Sequence, residues 1–151
     1  MKFNFKFQKI LDREKFFEEA LAKELELIQN ELKVEEGRRE ALKDALTKRQ
    51  SEMKTMLSER GEAGIFVLFE IYFSKLNEGI ILQETKIKEI SERIDHTREK
   101  LFCVFKKRKA LEKLRERHEK EFRNILLRQE NKQLNEIATS RYFYNFQNEV
   151  R

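Results

Sequence analysis

The sequence predicts an all-α chain, two long helices forming an antiparallel coiled-coil hairpin with a C-terminal helical overhang. Three observations carry this. Among 151 residues there is no proline and there are only four glycines, against an ordinary usage of about 5% and 7%, so the punctuation of a strand-rich domain is missing. Charged residues make up 40% and hydrophobic residues 39%, which leaves a narrow apolar stripe rather than a globular core. That stripe recurs at alternating steps of four and three. The 13 phenylalanines, with frequent leucine and isoleucine, argue against disorder despite the charge. The reading is of a single coiled-coil domain, 1–151.

The first helix is predicted over about 5–59. Its stripe runs Leu21, Leu25, Ile28, Leu32, Glu35, Arg39, Leu42, Leu46, Arg49, Met53 and Met56, and extends back to Leu11 and Phe7. Spacing of this kind puts one face of a helix against a partner, and the Glu, Lys, Arg and Gln between the stripe positions suit water. The turn is predicted at about 60–65, in Ser58–Gly64, where two glycines three residues apart offer the positive φ of a helix C-terminus.

The second helix is predicted over about 66–140, with the stripe Phe69, Phe73, Leu76, Ile80, Gln83, Ile87, Ile90, Ile94, Thr97, Leu101, Val104 and onward to Phe122 and Ile125. A short connection makes the helices antiparallel neighbours. Folding about the middle of the predicted turn brings Ile28 near Thr97 and Leu42 near Gln83. At 1.5 Å per residue the arms measure ~80 and ~110 Å, so the second helix outruns the first beyond about Phe122. Its overhang carries an unpaired apolar stripe. An aromatic tail, 141–151, follows, with Tyr142, Phe143, Tyr144 and Phe146. Just after the turn, Ile65–Phe73 holds more aromatic and apolar residues than one seam uses, which suits either a packing knot or a docking tip.

Net charge is +5, and residues 106–151 carry most of the basic excess, with 13 Lys/Arg against 7 Asp/Glu. That bias suits an acidic surface, and the overhang is expected to hold it. Nucleic acid is not expected, because acids are interleaved along the helices and repel phosphate. The chain contains no glycine-rich phosphate loop. His96 and Cys103 share a helix face, but two ligands do not close a zinc site, and one cysteine forms no internal disulfide. No cofactor, no metal and no catalytic residue are expected, and the chain reads as non-enzymatic. With no secretory signal and no span-length apolar run, it reads as cytoplasmic.

Three stretches bring a family into view. The opening FNFKFQKILDRE, Phe3–Glu14, and the later ALEKLRERHEKEF, Ala110–Phe122, followed by ENKQLNEIATSR, Glu130–Arg141, resemble the flagellar FliJ family. The family pattern E-x-K-x-L-D-E-I-A-x-x-R is matched at Glu130, Lys132, Leu134, Glu136, Ile137, Ala138 and Arg141, with Asn135 where aspartate is common. The resemblance implies a two-helix coiled coil similar to the central stalk of rotary ATPases. It implies partners as well: the hexameric flagellar export ATPase, the cytoplasmic region of the export gate protein, and export chaperones. Membrane association is then expected through partners only, at the cytoplasmic face of the inner-membrane export apparatus. On that basis Arg123, Arg128, Lys132, Leu134, Ile137 and Arg141 are expected to contact the ATPase. Phe66, Tyr72 and Leu76 are expected to face the gate or another partner. A stalk of a virulence-type secretion ATPase and a general coiled-coil scaffold are the alternatives.

Overall fold

A computed structural model describes residues 1–59, 61 and 63–150. Among these the chain forms two helices and no strand: α1, Gln8–Glu59, and α2, Ala63–Glu149. The two helices pack against each other, and their contacts divide the chain into two units, Glu18–Cys103 on one hand and Met1–Phe17 with Val104–Arg151 on the other.

The unit Glu18–Cys103 is a helical hairpin. Gly61 has φ 61°, the left-handed conformation that closes a helix and that a side chain resists; α1 stops two residues before it and α2 starts two residues after. Of the 60–65 turn expected, residues 60 and 62 lie outside those described, and 63–65 belong to α2. A turn centred on Gly61 moves the register by nearly one helical turn. Ile28 clusters with Ile90 and Ile94, flanked by Leu25 and Leu32, so its apolar neighbours lie about a turn or more before the expected Thr97. Gln83 reaches Glu35 rather than Leu42, and Leu42 lies against Gly79.

The stripe itself is where the periodicity puts it. Ile28, Phe73, Ile80, Ile87, Ile90, Ile94 and Thr97 are buried. Removing each large apolar side chain from water is favourable by about 1.5–3 kcal/mol, and the narrow seam concentrates this on few residues. Around it, Arg93 meets Glu31 at 3.3 Å and Lys43 meets Glu84 at 3.8 Å. Both pairs are exposed and add little.

Among the described residues of this unit, one carboxylate is buried in the seam. Glu35 is 5% exposed. Its carboxylate accepts a hydrogen bond from Gln83 and pairs with Arg38 at 2.8 Å and Lys86 at 3.3 Å. The Gln83 bond, with the two cations, holds this carboxyl below the usual carboxylate range despite burial.

In the other unit the N-terminal phenylalanines do the packing. Phe5, 4% exposed, meets His118 edge-on at 5.8 Å and Phe7 at 5.8 Å, while Phe3 tilts over Phe122 at 5.7 Å. Leu11 is fully buried. Alternation in F-x-F-x-F before the helix starts thus fastens the N-terminus to α2.

The tail departs from expectation. α2 runs through Glu149 rather than ending near 140, so the residues Tyr142–Phe146 are helical. No glycine or proline follows Gly79, and aromatic side chains disfavour a helix only mildly, so nothing in the sequence stops it.

Candidate functional site

Two surfaces hold the residues singled out by sequence. The first is the end of α2. Leu126 is the last half-buried residue; among the described residues every one from Leu127 to Val150 is exposed. Leu134 is 62% and Ile137 51% exposed. At 100° per residue, Arg123, Leu134, Ile137 and Arg141 fall on one side of the helix, while Arg128 and Lys132 fall on nearly the opposite side. Arg128 and Lys132 line a shallow hollow of about 790 Å³ with Asn131, Asn135, Glu136 and Phe143. The six residues therefore form two faces rather than one patch. Arg123 is tied to Glu119 at 2.7 Å, one turn back along the same helix.

The charge lies elsewhere than expected. Residues 106–123 hold nine cations and four acids, whereas 124–151 hold four cations and three acids. The basic excess therefore belongs to the part of α2 that the N-terminal segment covers. The exposed extension is nearly neutral, an apolar and polar helix with scattered arginines.

The second surface follows the turn. Phe69 and Phe73 stack at 5.9 Å, with Phe73 buried and Phe69 half-buried. Phe66, Val67, Leu68, Ile71 and Tyr72 are all at least 40% exposed, so the cluster is only partly packing. A hollow of about 490 Å³ is lined by Arg49, Glu52 and Met56 of α1 and by Ile65, Leu68, Phe69 and Tyr72 of α2. Arg49 lies 5.9 Å from the Tyr72 ring. Its hydrogen bond to Glu52, and then Tyr72, raises the pKa of the guanidinium further and fixes it as a cation at the rim. Of the three residues expected here, Tyr72 lines the hollow, Phe66 stands outside it and Leu76 is half-buried. Sequence reasoning treated Arg49 and Met56 as seam positions and missed their place in this hollow. Their signal was available: both lie in the last turns of α1, opposite the aromatic run that follows the reversal.

Among the described residues no group of three His, Cys, Asp or Glu is placed to hold a metal ion, and no helix is long and apolar enough to cross a membrane. His96 and Cys103 are both exposed.

The comparison with protein-family models decides the family. The model described as Flagellar FliJ protein matches residues 2–145. The chain belongs to the FliJ family. It is thereby a flagellar export-related coiled-coil protein, and the family is a non-enzymatic export component. The match spans both helices and stops within the aromatic run at the end of α2. Searches of curated proteins and of solved structures found no match.

Proposed function

We propose that this FliJ-family chain is a stalk for the flagellar export ATPase, promoting assembly and turnover of its hexameric ring and coupling it to the export gate and to export chaperones at the cytoplasmic face of the inner membrane. The observation that carries this reading is the exposed end of α2. A helix that keeps its geometry for more than twenty residues with no covering partner, and that presents Leu134 and Ile137 on one side and Arg128 and Lys132 on the other, suits insertion into a ring. A ring wall meets an inserted helix from every side, so two opposed faces are usable there, whereas a flat partner would use one. Arg123 and Arg141 flank the apolar face and offer planar, bidentate pairing to carboxylates on the wall. Around the turn, the hollow rimmed by Arg49 and Tyr72, with exposed Phe66 beside it and Leu76 below, is the surface for the gate.

The test is turnover of the cognate export ATPase with the full chain and with a chain truncated after Leu126. Loss of stimulation with the helical signal of the remaining residues retained is the expected result. Undiminished stimulation by the truncated chain overturns the reading.

A further inference from the structure

The first turns of α1 carry a surface that neither the seam nor the proposed stalk role uses. Phe16 is 66%, Phe17 43% and Ile10 42% exposed, which is unusual for aromatic residues with a seam close by. At 100° per residue they share an arc of about 120° with Lys9 and Arg13, turned away from buried Leu11; buried Glu14 lies just beyond the Ile10 edge of the arc and pairs with Arg13 at 3.7 Å. Neither acid of this turn region lies in that arc: Asp12 falls outside it and accepts a hydrogen bond from Gln8 at 2.8 Å, and Glu14 is buried. Lys2, Lys6 and the 93%-exposed Met1 precede the helix. Residues 1–17 hold five cations and two acids. Within the patch, the Phe16 and Phe17 rings lie 6.1 Å apart, and the Arg13 guanidinium sits 5.9 Å from the Phe17 ring. The cations thus border the apolar surface directly.

We propose that this face of α1 seats on an anionic bilayer surface, with Ile10, Phe16 and Phe17 entering the headgroup boundary and Lys9, Arg13 and the preceding lysines pairing with lipid phosphates. Apolar and basic side chains interleaved on one exposed helix face are the pattern of an interfacial helix. The occupant follows from shape and chemistry. The face is the convex outside of a helix, with no wall to enclose a base or a folded partner, and its arc contains no amide or hydroxyl side chain to read one. A bilayer needs neither. This contact is direct, in contrast to the sequence-based expectation that the chain reaches the membrane only through partners, and it does not depend on the stalk reading.

The experiment is sedimentation of the full-length protein with vesicles of phosphatidylcholine containing about one-third phosphatidylglycerol, and with vesicles of phosphatidylcholine alone. Binding to the anionic vesicles only, weakened by salt, is expected. Two double variants, Phe16→Ser with Phe17→Ser and Lys9→Glu with Arg13→Glu, should each reduce it roughly tenfold or more, since a single weak anchor does not hold. These side chains are exposed, so the far-ultraviolet circular dichroism should stay that of the parent. No anionic preference, or full binding by either variant, overturns the proposal. So does tighter binding to a single-stranded oligonucleotide than to the vesicles, which would make the face a nucleic-acid surface.

Discussion

Gln83 of α2 donates twice to Glu35 of α1, once to the buried carboxylate and once to the backbone carbonyl at 3.0 Å. A buried carboxylate held by Gln83, Lys86 and Arg38 pins the two helices at one register, since a shift by a turn leaves the charge unpaired in the seam.

This pair makes stability depend on acid. The Glu35 carboxyl is held below its ordinary value of 4.5. Its contribution is therefore complete above that value and is lost as pH falls through the lowered one. Melting temperatures measured from neutral pH down to about 3 should fall more steeply for the parent than for Glu35→Gln. Parallel curves would show that the carboxylate adds nothing. Glu112, lowered mainly by its hydrogen bond from Arg108, adds to the acid sensitivity of both proteins and cancels in the comparison.

Two glycines should respond in opposite directions. Gly61→Ala places a side chain in the left-handed region at the reversal, costing about 1–2 kcal/mol. Gly79→Ala adds a methyl at ordinary contact distance, 3.8 Å from Leu42, and replaces a weak helix former, so a gain of up to ~1 kcal/mol is expected. Denaturant unfolding of each variant measures both.

Leu11 is fully buried although it lies only four residues into α1. Leu11→Ala should cost about 2–5 kcal/mol, a core-sized loss from a helix end that would otherwise fray. A loss under ~0.5 kcal/mol, the size of a surface substitution, would show that the N-terminal segment is not anchored.

The end of α2 should separate function from stability. Leu134→Ala with Ile137→Ala removes exposed side chains, so unfolding should change by no more than ~0.5 kcal/mol, while stimulation of the export ATPase should drop. The same loss from Arg128→Ala with Lys132→Ala would point to contact on both faces; an effect from the apolar pair alone would point to one.

At the turn, Tyr72→Ala should weaken gate binding more than Phe66→Ala, because Tyr72 lines the hollow beside Arg49 and Phe66 does not. Affinities for the cytoplasmic region of the gate protein, with ATPase stimulation as the control, test the ranking.

The seam was legible because it depends on one variable, the spacing of Leu25, Ile28 and Leu32 on one side and Ile87, Ile90 and Ile94 on the other. Register was not, since it hangs on whether Gly61 or the pair Gly61 and Gly64 makes the reversal, and both carry the same local signal. The helical tail was not legible because the seam periodicity that marks the helix ends well before it, and Tyr142 and Phe143 oppose helix only weakly. Of the candidate residues, exposure of Leu134 and Ile137 followed from the mismatch in arm lengths. Their separation from Arg128 and Lys132 followed only once the helix was known to continue unbroken. Phe16 and Phe17 escaped notice because they fall between stripe positions.

The bare final stretch of α2 has a thermodynamic consequence. Backbone amides from about Arg128 onward have helical hydrogen bonds but no side-chain layer shielding them, so they open cheaply and should exchange with deuterium far sooner than those near Ile94. Whatever partner captures this stretch must first collect it from a fraying population, so its affinity is set partly by helix propensity at sites it never touches. A stronger helix former placed in this stretch away from the capturing faces would then strengthen capture without adding a contact.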